Sequence, residues 1–129
     1  MDGCIFCQII AREAPAPILA ENEQIIVFLS LERHPLIVPK RHVRDIYALS
    51  DDLGAAIMRE AIRLARAVKA GLRCDGVYLA QANEPAAGQD VFHFHLHIYP
   101  SWHGDRYGIH HLDAAPEVQA RIAAALRPI

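Results

Sequence analysis

The sequence predicts an α+β domain in which an antiparallel sheet of about five strands is covered on one face by one long helix. Two observations lead to this prediction. One long segment carries a continuous apolar stripe at helical spacing, and about five shorter apolar runs are separated by turn-forming residues. The chain has 129 residues, which is the length of one domain, so we expect residues 1–129 to form a single unit.

The N-terminal part is predicted to form a short helix followed by two strands. Apolar side chains recur at helical spacing within residues 4–12, and Pro15 and Pro17 stop that helix. Residues 18–21 and 24–30 are strand-like, and the two residues between them are candidates for a turn.

The long helix is predicted between Ser50 and Arg73. The Ser50 side chain can accept a hydrogen bond from a free backbone N–H, and Asp51 and Asp52 suit the positive end of the helix dipole. Apolar residues continue along one side for the whole segment, so this face is expected to cover the sheet.

Three further strands and a last helix complete the prediction. Residues 36–38 form a short apolar strand bracketed by two prolines, and strands are also expected at 77–82 and 91–99. Residues 116–126 are predicted to form a C-terminal helix.

Composition narrows the classes of function. The net charge of −2 provides no basic footprint for general nucleic-acid binding. No apolar run approaches the roughly 20 residues of a membrane span, and no signal peptide is recognisable at the N-terminus. Three cysteines do not make a disulfide framework, so a reduced, cytoplasmic compartment is expected.

The most informative segment is His93-Phe94-His95-Leu96-His97-Ile98-Tyr99. The strict alternation predicts a strand whose apolar side chains face the core while the three histidines share the other face. The outer two rings would be about 13 Å apart, so one metal ion could bind two of the three but not all. A half-exposed strand with a polar face, or a metal site at an H-x-H pair, are the alternatives.

This alternation is the signature of the histidine triad (HIT) family of nucleotide hydrolases and transferases, and other segments resemble the same family in the same order. CIFCQII at 4–10 resembles the family's N-terminal helix, and LIVPKRH at 36–42 resembles its central strand and turn. PAAGQDVF at 85–92 leads into the histidines as the family's loop does. The resemblance implies the HIT fold, with a five-stranded sheet, one long helix, a short N-terminal helix and a C-terminal helix.

The resemblance also implies an activity, which is cleavage of a phosphoanhydride or phosphoramidate at the α-phosphate through a nucleotidyl-histidine. His95 would be the nucleophile and His97 would contact the phosphate and the leaving group. His34 would orient the pocket, and Gln89 would hydrogen-bond the phosphate or the leaving atom. Imidazole suits these roles because it is nucleophilic when neutral and a donor when protonated, with an ordinary pKa of about 6.5.

By the same resemblance, a set of residues is expected to bind a purine nucleotide or nucleotide conjugate. The set is Ile5, Phe6, Ile9, Phe28, Ser30, Asn83, Gln89 and His97. Two positions depart from the family's pattern: Ser30 stands where an aspartate often holds the ribose, and Ala82 stands where an asparagine is usual, with Asn83 beside it. The loop from Ser30 to His34 is also shorter than the family's. Ribose recognition is therefore expected to be altered.

A second site is expected around Cys4, Cys7, His42 and His93. Some bacterial members of the family hold a structural zinc with this ligand set, and all four residue types are present at matching positions. Four protein ligands would leave no open position on the ion. The alternatives for the two thiols are helix packing or a redox pair.

Three functions remain open at this point. The first is a HIT hydrolase of the nucleoside phosphoramidase or dinucleoside polyphosphate hydrolase type. The second is a zinc-stabilised nucleotide-binding or sensing module with little turnover, and the third is a thiol redox protein using Cys4 and Cys7. The resemblance further implies a homodimer.

Overall fold

The computed structural model describes residues 3–126, which contain three α-helices and five β-strands. The elements in chain order are α1 (Ile5–Ile10), β1 (Ile18–Glu21), β2 (Ile25–Leu29), β3 (Pro35–Pro39), α2 (Asp51–Leu72), β4 (Gly76–Ala80), β5 (Leu96–Ser101) and α3 (Ala115–Leu126). The predicted α+β class is confirmed. Residues 1–2 and 127–129 of the predicted single domain lie outside the described part.

The five strands form one antiparallel sheet in the order β1-β2-β3-β5-β4. Strands β2 and β3 pair along their whole length, from Ile25 opposite Pro39 to Leu29 opposite Pro35. β5 lies between β3 and β4, with His97 opposite both Leu36 and Ala80. The histidine-bearing strand is therefore central in the sheet and has a neighbour on each side.

The sheet is apolar on both faces, and each face has its own helices. Because side chains alternate along a strand, Ile25, Val27 and Leu29 of β2 join a core with α2 and α3. Ile26 and Phe28 lie on the opposite face with residues of α1. The long helix covers one face as predicted, while α1 packs against the other.

Helix α2 begins and ends where its sequence indicates. The Ser50 side chain accepts a hydrogen bond from Leu53 N at 3.2 Å, and Arg73 ends the helix in the left-handed conformation. Although α2 has 22 residues, neither it nor any other helix within 3–126 is long and apolar enough to cross a membrane.

The predicted strand at 77–82 ends at Ala80, and the prediction at 91–99 is further from the observed bounds. Residues 91–95 are not strand, and β5 starts only at Leu96 and continues through Pro100 to Ser101. The pairing of β5 with β3 stops at Ile37 opposite Leu96, close to Pro39, which has no N–H to offer a neighbouring strand. Phe94 N instead donates to the Val43 carbonyl at 2.6 Å, so the segment before β5 is held by other contacts.

The packing of α3 on α2 predicts opposite effects for two glycine substitutions in α2. A Cβ at position 71 would lie 2.6 Å from the carbonyl oxygen of Arg121, so Gly71→Ala should destabilise the protein by about 1–3 kcal/mol. A Cβ at position 54 would meet nothing closer than 3.7 Å. Gly54→Ala should therefore stabilise by about 0.5–1 kcal/mol, because alanine favours helix.

Urea unfolding of the two variants and the wild type measures both free energies. Gly54→Ala is the matched control, since it makes the same chemical change in the same helix. Equal effects of the two substitutions would contradict the close contact between α2 and α3.

Candidate active site and metal centre

Four predicted ligands converge at the start of α1. The donor atoms of Cys4, Cys7, His42 and His93 all lie within 4.8 Å of one another. The Nδ1 of His93 is 3.4 Å from Cys4 Sγ and 3.5 Å from Cys7 Sγ, and His42 Nδ1 is 3.2 Å from Cys7 Sγ. Side chains from three separate parts of the chain thus point their donors at one point.

Local structure explains why these donors meet. Cys4 is the N-cap of α1 and its Sγ accepts from Cys7 N, which brings both thiols to the first turn. The fully buried His93 donates from Nε2–H to the Pro39 carbonyl at 2.7 Å, because a carbonyl can only accept. Its Nδ1 lone pair is then directed at the thiols. Burial lowers the pKa of His93 to about 4, so the ring is a neutral ligand.

The nucleophile candidate follows His93 along the chain. His95 is buried, with 7% of its surface exposed, and its Nδ1–H donates to the His93 carbonyl at 2.8 Å. Phe6 packs edge-on against the His95 ring at a centroid distance of 5.0 Å and also contacts His93. Because Nδ1 uses its proton in this hydrogen bond, Nε2 is the nitrogen left to offer a lone pair to an electrophile.

The other two histidines form a pair. His34 lies in the turn between β2 and β3 with 1% of its surface exposed, and its Nε2 is 2.9 Å from Nδ1 of His97. Burial, together with the positive charge that neighbouring imidazoles would carry, lowers the pKa of His34 to about 3 and that of His97 to about 4. Both rings are therefore uncharged at neutral pH, and one ring must donate a hydrogen bond from its N–H to the nitrogen of the other.

Tyr99 also belongs to this group, and sequence reasoning missed it. Its ring stacks on His97 with 4° between the planes and lies 4.1 Å from the His34 centroid. Its hydroxyl is 3.3 Å from His97 Nδ1. The signal that could have found it is the period of two along β5, since Tyr99 comes two residues after His97 on the same face.

The apolar residues predicted to bind a nucleobase are only partly accessible. Phe6, Ile9 and Phe28 are buried together on the α1 face of the sheet, whereas Ile5 is exposed. Phe6 and Phe28 are in edge-to-face contact at 5.5 Å. This buried apolar group contacts the His95 ring through Phe6, and Ile5 is the member of the set that solvent reaches.

The predicted polar ligands make hydrogen bonds inside the protein. The Gln89 amide accepts from Glu84 N at 2.6 Å and donates to the carbonyls of Arg44 and Val91. Asn83 accepts from Ile46 N at 2.8 Å and is paired with the Gln81 amide. Across residues 3–126, neither amide has a hydrogen bond to a histidine ring, so both shape the loop rather than join the histidine cluster. Their predicted contacts with a nucleotide remain predictions.

Comparison with known proteins agrees with the fold. A family model described as HIT domain matches residues 11–104. Protein hit of Bacillus subtilis (strain 168) is 32% identical over 134 aligned positions, covering 97% of this chain and 92% of that protein.

Two solved structures have closely similar folds. A Zn-bound histidine triad family protein from Mycobacterium smegmatis has a TM-score of 0.87 and 32% identity, covering 96% of this chain and 93% of its own. A hypothetical histidine triad nucleotide-binding protein from Sulfolobus tokodaii has a TM-score of 0.85 and 26% identity, covering 95% and 91%. The chain therefore belongs to the HIT family, as its motifs predicted.

The predicted structural zinc site is confirmed by its donor set. Two cysteine sulfurs and two imidazole nitrogens are ligands that Zn²⁺ prefers, and their mutual distances suit a tetrahedral ion. The four protein donors leave no position for a substrate, so the ion would hold α1 against the sheet and take no part in chemistry.

The metal site predicts about one zinc ion per chain in protein purified without chelator, measured by elemental analysis. Cys7→Ser should reduce this to less than about a tenth of an ion and should also lower the melting temperature. Cys74→Ala is the control, because Cys74 is buried in the main core apart from the cluster and its loss should leave the zinc content unchanged. Reduced wild-type protein with less than about a tenth of an ion would contradict the site.

Proposed function

We propose that this protein is a nucleotide-binding hydrolase that cleaves phosphoanhydride or phosphoramidate bonds at the α-phosphate of a nucleotide conjugate. The observation that carries the proposal is the 2.8 Å contact between His95 Nδ1 and the His93 carbonyl oxygen. The bond from its Nδ1–H to the His93 carbonyl leaves the Nε2 lone pair available in a ring that Phe6 holds in place. A preoriented neutral imidazole is the nucleophile that this chemistry requires.

The reaction proceeds in two displacements. In the first, the lone pair on His95 Nε2 forms a bond to the α-phosphorus, and the bond from phosphorus to the leaving oxygen or nitrogen breaks. The leaving group takes a proton from solvent as it departs, and the water that attacks in the second displacement returns one proton to solvent. In the second, water attacks the phosphorus, the bond to Nε2 breaks, and a nucleoside monophosphate is released with regeneration of His95.

His97 would serve the phosphate and the leaving group. Its ring follows His95 on the same side of the chain, at a centroid distance of 4.9 Å. With Nδ1 turned towards His34, its Nε2 is the atom left to face a substrate. His34 would hold His97 in this orientation, and the low pKa of both rings keeps them neutral before substrate arrives.

The nucleotide would lie beside α1. Ile5 supplies an exposed apolar surface on a helix whose Phe6 and Ile9 are buried with Phe28, and such a surface suits a flat purine. The similar protein from Sulfolobus tokodaii is described as nucleotide-binding, which supports the same ligand class here. Gln89 and Asn83 would reach the phosphates or the ribose only after exchanging their present hydrogen bonds.

We also propose a homodimer that joins two sheets edge to edge. Strand β4 is an edge strand of the sheet and exposes Tyr78 and Leu79, and α2 exposes Met58 and Ile62. An exposed apolar edge strand is a template for pairing with a second copy.

A second candidate is a zinc-stabilised nucleotide-binding module with little turnover. The Gln89 amide favours it, because all its hydrogen bonds are made to the protein and none is held ready for a leaving group. Turnover of adenosine phosphoramidate separates the two functions.

His95→Ala tests the proposal. It should lower turnover by at least about four decades, because it removes the atom that forms the covalent intermediate. His103→Ala is the control, since the His103 side chain is 96% exposed, and it should keep the wild-type rate. Zinc content and melting temperature of both variants show whether the fold survives. A His95→Ala protein that retains more than about a tenth of the wild-type rate would refute the nucleophile.

A further inference from the structure

The turn between β2 and β3 closes tightly on itself at Ser30. Ser30 N donates to the His34 carbonyl at 2.8 Å, and Arg33 N donates to the Ser30 carbonyl at 2.9 Å. Arg33 has a φ of 75°, in the left-handed region that allows so short a turn. The result is that Ser30 and the buried His34 face each other across the turn.

The Ser30 hydroxyl has three partners. Its oxygen accepts from Glu32 N at 3.2 Å and from His34 N at 3.3 Å, and it lies 3.0 Å from His34 Nδ1. A serine hydroxyl has two lone pairs and one proton. The two backbone N–H groups occupy the lone pairs, so the proton is directed to His34 Nδ1, which must accept it.

The direction of this hydrogen bond decides which ring nitrogen carries the proton, first in His34 and then in His97. A neutral His34 that accepts at Nδ1 carries its own proton on Nε2, and this proton is donated to His97 Nδ1 at 2.9 Å. The Tyr99 hydroxyl approaches the same Nδ1 at 3.3 Å, but this nitrogen has one lone pair, which the closer His34 N–H occupies. A neutral His97 then carries its proton on Nε2.

We propose that Ser30 is a positioning residue that sets the tautomer of His34 and, through it, of His97, so that His97 presents an N–H donor to the substrate. The catalytic consequence rests on the proposed function, whereas the tautomers do not. The role is a feature of this chain's short turn, which brings residue 30 against His34.

If His34 Nδ1–H donated to Ser30 instead, the resulting tautomer of His97 would suit an anionic substrate poorly. His34 Nδ1–H would then become a third donor to an oxygen with two lone pairs, and His97 would have to donate from Nδ1 to His34. His97 Nε2 would present a lone pair to phosphate oxygens, which repel it. Ser30 therefore decides whether this ring stabilises or opposes the charge that develops on the phosphate and the leaving group in the transition state.

Nitrogen-15 NMR of the histidine side chains in the full-length, zinc-containing protein tests the tautomers directly at neutral pH. Couplings from each ring nitrogen to the carbon-bound ring protons distinguish Nδ1–H from Nε2–H, and His34→Gln and His97→Gln assign the signals. In wild type we expect both rings to carry the proton on Nε2. Ser30→Ala should produce a mixture with the Nδ1–H form, and Ser30→Thr, which keeps the hydroxyl, should restore the wild-type spectrum.

A wild-type His34 protonated on Nδ1 would overturn the proposal without any variant, so a poorly folded Ser30→Ala protein cannot leave the question undecided. Unchanged tautomers in a folded Ser30→Ala protein would overturn it too.

Kinetics and binding supply a second readout. Ser30→Ala should lower kcat about tenfold with little change in KM, because it removes a hydrogen bond that orders the donor and not one that holds the ligand. The ratio of the AMP and dAMP dissociation constants should stay within about tenfold and should be equal in wild type and Ser30→Ala.

A Ser30→Ala variant that weakens AMP but not dAMP, with unchanged tautomers, would make Ser30 a ribose contact and overturn the proposal. Absence of turnover in wild type would refute the proposed hydrolase and leave the spectra to decide the role of Ser30.

Discussion

The hydrogen bond from His93 Nε2–H to the carbonyl of Pro39 orients a residue that belongs to the metal site and also holds His95 through its backbone carbonyl. It turns the His93 Nδ1 lone pair towards Cys4 and Cys7. The backbone carbonyl of the same residue accepts a hydrogen bond from His95 Nδ1–H. The bond is fully buried, where a lost partner is costly. The metal centre and the nucleophile are therefore joined through a single backbone position, and α1 adds Phe6 against both rings.

Backbone and side-chain acceptors give three chemically identical rings different roles. His93 and His95 each donate to a carbonyl, one through Nε2 and the other through Nδ1, so their lone pairs point in different directions. His97 faces a histidine instead of a carbonyl, and its proton depends on a chain of donors that begins at Ser30. In each ring, the hydrogen bond made by one nitrogen decides whether the other nitrogen offers a lone pair or an N–H. The position of the residue in the alternating sequence does not decide this.

Much of the fold could be predicted because its signals are local. Helix α2 could be predicted from its capping serine and its apolar stripe, and the zinc ligands could be predicted from their positions in the family's motifs. The start of β5 could not be predicted in this way, because it depends on where the neighbouring strand β3 ends at Pro39. The contact between Ser30 and His34 was also missed, because the sequence shows a shortened loop but not how the turn folds back. Period two along the strand pointed to Tyr99 without revealing the ring stack.

The most direct measurement of the account is mass spectrometry of the protein during turnover. Protein mixed with adenosine phosphoramidate and quenched rapidly in alkaline denaturant, which preserves acid-labile P–N bonds, should carry one adenylyl group on the peptide that contains His95. The adduct should appear before AMP accumulates and should be absent from His95→Ala. Steady release of AMP with no adduct at any time, or an adduct on a different histidine, would contradict the assignment of His95 as the nucleophile.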